Sequence, residues 1–419
     1  MQENKPSISR TLVKGMFKAD KALWIIVAML AVISLLVIYS STASMAYRKA
    51  GGDTSHYLFK QFVSMLIGLG TIAVVQLFKV EFYKRISVAV FWGCIILQIL
   101  TYVTGVELNG ARRWYEIPGL GLTIQTSDFL RIGLVMMLAS VLGARGEKIK
   151  DTRLIPWLKQ SISKRLKLTN YDIFTANTLP LLWGIVVACA LILFTNFSTS
   201  AITFITSFLI LVVAGFKSSE LTKLFLLVFA AAVLAVSAMG VLGLGRSSTV
   251  TSRIKTFVGA NESNHEDQVK DFQAEQARIA VASGGIIGKG PGNSTQRANL
   301  PHSYSDYAFA FIVEEYGVAG ALIVVILYIW LFSRAMVIAR ACTDSYSRLL
   351  VLGLALMIVV QAFFNILVSV DIFPVTGQPL PLISLGGSSM ISSSLALGMI
   401  FAVSRQINII KERDEKNNS

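Results

Sequence analysis

The sequence predicts an all-α protein that crosses a membrane about ten times. Of 419 residues, 54% are hydrophobic and 15% charged, against roughly 25% charged in an average soluble domain. Apolar runs long enough to cross about 30 Å of hydrocarbon, about 20 residues each, recur along nearly the whole chain. The basic residues alternate in density from one connection to the next, as they do when a chain is threaded back and forth through a bilayer.

The runs fall at roughly 23–41, 57–78, 86–105, 127–144, 176–194, 198–215, 222–244, 307–333, 349–368 and 386–404. Residues 1–22 are polar and basic, and no small-residue cleavage site follows the first run, so a cytoplasmic tail is expected rather than a cleaved signal peptide. Most Lys and Arg lie in the even-numbered connections and at the ends of the chain, among them Lys14, Lys18, Lys79, Arg85, Lys164, Arg165, Arg340 and Lys411. By the positive-inside rule both termini are cytoplasmic, and the loop 245–306 between spans 7 and 8 faces outward. The stretch 145–175 reads as a basic cytoplasmic loop lying against anionic headgroups, and 405–419 as a cytoplasmic tail. Segment 369–385, "SVDIFPVTGQPLPLISL", is apolar yet broken by Pro374, Pro379 and Pro381. It is expected to be re-entrant, held at membrane depth by packing against protein. Within the outer loop, "FQAEQARIAVASGG" has the pattern of a short amphipathic helix, so a loop of this length reads as functional.

The net charge of +14 invites a nucleic-acid reading, but its placement on the cytoplasmic connections argues against that partner. Cys94, Cys189 and Cys342 are far apart and form no disulfide or metal pattern. His56, His265 and His302 share no ligand spacing.

Three stretches carry candidate chemistry. In "LPHSYSDYAFAFIVEEYG", Leu300 to Gly317, Asp306 stands at the mouth of a span, and Glu314 and Glu315 stand inside it. Ionisable groups at that depth are paired or functional, so one glutamate is expected to pair with a basic residue of another span. Asp306 also suits a helix N-cap or first-turn acid. In "VASGGIIGKGPGNSTQRANLPH", the glycines let backbone amides approach an anion while Lys289 and Arg297 supply charge, which suits a phosphate or pyrophosphate. The spacing is not that of a P-loop, and a plain flexible turn is the alternative. In "LNGARRWYEIPGLGLTIQTSDFLRIGL", Arg112, Arg113 and Trp114 sit on an outer loop where paired arginines could grip a lipid phosphate. Asp128 and Arg131 can pair along one helix face, as a structural ion pair or as part of a site.

Read in order, "IYSS", "NGARRW", "IQTSDFLR", "FQAEQ", "ASGGIIGKGPGNSTQ", "LPHSYSDYAFAFIVEEYG" and "FPVTGQPLPLISLGGSSM" resemble the SEDS family (shape, elongation, division, sporulation). The wording "VEEYG" and "VTGQPLPLIS" is closer to its division-type FtsW branch than to the elongation-type RodA branch. The resemblance implies a membrane glycosyltransferase that polymerises lipid II, a disaccharide-pentapeptide on undecaprenyl pyrophosphate, at the outer face of the bacterial cytoplasmic (inner) membrane, at the division septum. It implies Asp306 as general base and places Arg113, Trp114, Asp128, Arg131, Gln273, Gln276, Lys289, Ser294, Asn365, Thr376, Ser388 and Ser389 about the substrate. One departure stands out: where the family carries an acid at the outer end of span 5, this chain has Asn196.

The implied partners are lipid II, a class B penicillin-binding transpeptidase and other membrane proteins of the division machinery. No organic cofactor is expected; a divalent cation, Mg or Mn, could be held between Asp306 and the substrate pyrophosphate. An elongation-type RodA polymerase, a lipid II flippase and a scaffold without chemistry are the competing readings. A flippase needs a polar path across the membrane and tolerates Asp306→Asn. A scaffold leaves the Gly/Lys/Arg loop without a purpose.

Overall fold

The computed structural model describes residues 18–49, 55–108, 111–117, 122–146, 179–241, 265–296 and 307–418. The helices are α1 (Lys21–Lys49), α2 (Ser55–Val75), α3 (Val80–Thr104), α4 (Thr126–Gly143), α5 (Leu179–Thr195), α6 (Phe197–Ala214), α7 (Ser218–Val241), α8 (His265–Ser283), α9 (Ala308–Ala341), α10 (Ser345–Ser369) and α11 (Gly387–Asn418). Among the described residues eight helices, α1–α4, α6 and α9–α11, are long and apolar enough to cross a membrane, and α5 holds a shorter apolar stretch, Leu182–Thr195. The chain is a multi-pass helical membrane protein.

Local chemistry sets the boundaries. Asp20 accepts from the Leu23 amide at 3.1 Å ahead of α1, Asn196 from Thr199 at 3.3 Å ahead of α6 and Asp344 from Ser347 at 3.1 Å ahead of α10; each side-chain oxygen satisfies an amide that the first helical turn leaves open. Gly215, at φ 91°, closes α6 in the left-handed conformation. Helices α4, α10 and α11 are the centre, with 78%, 72% and 83% of their most apolar stretch buried, whereas α2 and α3 bury only 17% and 28% and form the lipid-facing rim. The core is aliphatic, with Leu130, Leu134, Leu138, Leu350, Leu354, Leu397 and Phe401 all buried.

Four expectations need correction. The all-α reading misses a small antiparallel sheet, order β1-β2-β3, formed by β1 (Val106–Leu108), β2 (Ala111–Ile117) and β3 (Leu122–Gln125) between α3 and α4. Its strands, of 3, 7 and 4 residues, are too short to cross the membrane, which takes about 9–11, and pair with one another instead. The eighth span does not stop near 333 but runs on to Ala341, and it is broken within its first third at Gly317, φ 67°, ψ −169°. Residues 405–418 are not a separate tail but the continuation of α11. Arg405 donates to the Leu77 carbonyl at 3.0 Å, Gln406 accepts from the Val80 amide at 3.2 Å, and Asn408 donates to the Lys18 carbonyl at 2.7 Å. The extension thus caps the α2–α3 turn and the start of α1, and it brings the two ends of the described chain together. The amphipathic stretch of the outer loop is helix α8, as its pattern implies, but it begins earlier, at His265. The basic stretch lies largely outside the described residues.

Candidate functional site

The glycine-rich loop after α8 docks into the break of α9. Lys289 and Gly290 donate their amides to the carbonyls of Glu314 and Glu315, both at 2.9 Å, while Val318 and Ala319 donate to the carbonyls of Gly285 and Ile286 at 3.0 and 3.2 Å. Gly317 supplies the conformation that frees those helix groups, one that essentially only glycine adopts. A Cβ on Gly288 would stand 2.3 Å from the Glu315 carbonyl oxygen, and one on Gly284 2.1 Å from that of Val313. These glycines permit close packing against α9, which replaces the open anion cradle that the spacing suggested. Gly285 and Gly292 do face open space.

The two glutamates now separate. Glu314 is fully buried and takes four donors: Lys289 Nζ at 2.7 Å, the Thr295 amide and Oγ1 each at 2.9 Å and Ser294 Oγ. A carboxylate has about four acceptor sites, so its burial is compensated. Its cation comes from the adjoining loop and not from another span, because the helix break lets Lys289 reach down beside it. Glu315 accepts from Ser40 Oγ of α1, and Ser40 in turn accepts from the Gly292 amide at 3.0 Å. Lys289 and Ser294, both expected about the substrate, therefore form one cluster whose charge is matched internally.

A second network spans the centre of the bundle. Asp128 and Arg131 are buried and 3.9 Å apart, and Arg131 also donates from Nη1 to Gln361 Oε1 at 2.7 Å and from Nη2 to the Met357 carbonyl at 3.4 Å. Gln361 passes the connection on to the Pro379 carbonyl at 2.9 Å. Asn365 donates to the Gln378 carbonyl at 2.8 Å, and Gln378 to Thr199 Oγ1 at 2.8 Å. The proline-broken segment is thus tied to α10 and α6 through polar groups, with Thr376, Leu380, Leu382 and Ile383 buried. Ser388 Oγ receives the Gln125 amide at 2.8 Å, which joins α11 to the end of β3; Ser389 is buried beside it in sequence. Asn196, in place of the family acid, keeps the capping role an aspartate would have.

Strand geometry divides the paired arginines. Successive residues of β2 point to opposite faces: Arg112 is exposed and lies 3.7 Å from Glu107, while Arg113 is partly buried on the other side. A joint grip on one phosphate by both arginines does not follow from this arrangement. Trp114 is partly buried in the middle of the sheet, its backbone paired with Val106 and Gln125. On α8, Gln276 is buried and Gln273 half-buried, and Arg278 pairs with Asp371 at 2.7 Å. Between α8, α9 and α10 a small apolar cluster of Ala277, Ala280, Ala310 and Val368 encloses the ring of Tyr307. Asp306 and Arg297 lie outside the described residues, yet Tyr307 follows Asp306 directly, so this cluster anchors the chain at the next residue. Among the described residues no three His, Cys, Asp or Glu come together to hold a metal ion. Gln361, Gln378, Thr199, Ser40 and Thr295 were not singled out from the sequence; the glutamines carried a signal, an amide within an apolar stretch.

The profile of the FtsW/RodA/SpoVE cell cycle proteins matches residues 20–409. This chain belongs to that family. Among FtsW/RodA/SpoVE relatives, it is 26% identical over 393 residues to a protein of Trichlorobacter lovleyi named probable peptidoglycan glycosyltransferase FtsW, covering 93% of this chain and 94% of that one. It is 25% identical over 414 residues to the similarly named protein of Bacillus subtilis, covering 97% and 95%. Its fold matches a chain from a structure described as the structural coordination of polymerization and crosslinking by a peptidoglycan synthase complex, with TM-score 0.68, 22% identity and coverage of 93% and 98%. It also matches the rod shape determining protein RodA of Thermus thermophilus, with TM-score 0.59, 22% identity and coverage of 93% and 97%.

Proposed function

We propose that this FtsW/RodA/SpoVE member is a peptidoglycan glycosyltransferase that polymerises lipid II at the outer face of the cytoplasmic membrane, in septal synthesis during division. The observation that carries the reading is family membership across nearly the whole chain, joined to the FtsW name of its sequence relatives. In this reading Asp306 is the general base. It takes the proton from the acceptor sugar 4-hydroxyl as that oxygen bonds to the anomeric carbon of the donor, and the bond to undecaprenyl pyrophosphate breaks with its electron pair leaving on the phosphate. Tyr307, the next residue in the chain, is seated between α8 and α10. Arg113 is the candidate for the pyrophosphate charge, Trp114 and Gln273 are further candidates for substrate contact, and the Asp128–Arg131–Gln361 network holds α4, α10 and the proline-broken segment in one arrangement.

A divalent cation, were one bound, would be held by the Asp306 carboxylate and would supply positive charge to the departing pyrophosphate; chelation followed by addition of Mg or Mn tests this. A class B transpeptidase is the expected partner, in keeping with a fold shared with a component of a peptidoglycan synthase complex. The test is polymerisation of labelled lipid II by the purified protein with its cognate transpeptidase, wild type beside Asp306→Asn. A positioned base contributes about 10²- to 10⁴-fold, so wild type should make glycan strands and the folded variant essentially none. Equal strands from both would move the catalytic role elsewhere. No strands from either would favour the flippase reading, checked by a flipping assay.

A further inference from the structure

Ile286 and Ile287 are 78% and 83% exposed, the two most exposed large apolar side chains among the described residues. They stand at the tip of the loop between α8 and α9. A pair of bare isoleucines at a loop tip in water would leave contiguous apolar surface uncovered. Their depth gives another reading. The carbonyls of Gly285 and Ile286 receive the amides of Val318 and Ala319, so the tip is level with the break in α9 and not with the end of that helix. Arg334 is the first charged side chain of α9 past Gly317, and its pair with Asp20 sets it level with the polar start of α1. Seventeen residues separate it from Gly317, about 25 Å at about 1.5 Å per residue, within the roughly 30 Å of a hydrocarbon layer.

Two further observations fit that depth. Val318, Leu322 and Ile323 on the adjoining turns of α9 are 49%, 53% and 48% exposed, so the tip continues an apolar surface that a spanning helix already presents to lipid. Irregular backbone survives at membrane depth only where protein satisfies its polar groups. The four backbone bonds to the broken turn of α9 satisfy the amides of Lys289 and Gly290 and the carbonyls of Gly285 and Ile286, and Glu314 compensates the charge of Lys289.

We propose that residues 284–290 form a re-entrant loop, and that Ile286 and Ile287 rest among the lipid acyl chains of the leaflet on the α8 side. The loop then fixes the height of α8 above the bilayer, independently of the reaction the protein performs. The test is a spin label at Ile287→Cys, and separately at Ile286→Cys, with Cys94, Cys189 and Cys342 replaced by alanine, in phosphatidylethanolamine/phosphatidylglycerol vesicles. Collisions with oxygen should exceed those with a water-soluble nickel chelate several-fold, as at a Leu322→Cys control, and the order should reverse at Arg112→Cys. Dominance of the nickel chelate would place the tip in water and overturn the proposal. Exclusion of both reagents would mean that protein covers it and would overturn it equally. Should the cysteine-free background fail to fold, Ile287→Trp in the otherwise unchanged protein, in vesicles of brominated-acyl lipid, should add a strongly quenched share to the emission; an added share without quenching refutes lipid contact.

Discussion

Replacing Gly317 by alanine attacks the joint on which the glycine-rich loop depends. The new Cβ would meet the Ile286 carbonyl oxygen at 2.3 Å and the Gly288 amide nitrogen at 2.5 Å, and φ 67°, ψ −169° costs a non-glycine residue about 1–3 kcal/mol by itself. The chain can keep the loop docked, bearing that strain plus two backbone clashes. Alternatively it can release the loop, giving up four backbone hydrogen bonds at about 1 kcal/mol each and leaving Glu314 without its donors. Both routes cost about 4 kcal/mol, which at about 1.4 kcal/mol per decade raises the open population roughly 10³-fold. Gly292→Ala is the control: φ is 79° with nothing within 4 Å of the added carbon, so only left-handed strain of about 1 kcal/mol applies. The assay is limited trypsin cleavage after Lys289 in detergent, which follows the open population when reclosing outpaces cleavage. Equal acceleration by the two substitutions would refute the role given to the α9 break.

Lys289→Met leaves the buried Glu314 without its cation and should destabilise the protein by about 3 kcal/mol. Adding Glu314→Gln should recover at least half of this in thermal unfolding, and no recovery would remove charge as the cause. Arg131→Lys keeps a cation near Asp128 but cannot reproduce the forked contacts to Gln361 and the Met357 carbonyl. A loss of about 2 kcal/mol is expected, and exchanging Asp128 with Arg131 should not restore stability; full restoration would show that the pair acts alone. Asn196→Ala should cost about 1 kcal/mol of folding stability by removing the α6 cap, while Asn196→Asp should be near neutral, read from the same unfolding curves. Tyr307→Ala empties the cluster beside Asp306 and should lower turnover of lipid II at least tenfold with little change in KM. A rise in KM alone would place the ring in substrate binding instead.

Much of the fold is legible in the chain because a hydrocarbon solvent makes strong demands on composition. An apolar run of span length has few alternatives, and Asp20, Asn196 and Asp344 announce helix starts through their own neighbours. The sheet at 106–125 was missed because its strands are short and lie between spans, where the apolar signal stops. The extension of α11 past Ser404 was missed because its sequence is polar, and only contacts with Leu77, Val80 and Lys18 reveal what its first turns hold.

By itself the sequence determined that this is a multi-pass membrane protein of the FtsW/RodA/SpoVE family, because span length, basic-residue placement and motif wording are local properties. Only the tertiary structure decided that the glycines pack against a broken helix, that Glu314 takes its cation from Lys289 and Glu315 its partner from Ser40, and that Arg131 is shared with Gln361. Ser40 and Gly292 lie 252 residues apart, and Arg131 and Gln361 are 230 apart. No periodicity reports on contacts at such separations. The physical reason is that a carboxylate or guanidinium buried in hydrocarbon must be compensated, but any donor or acceptor the folded bundle brings within reach can do it.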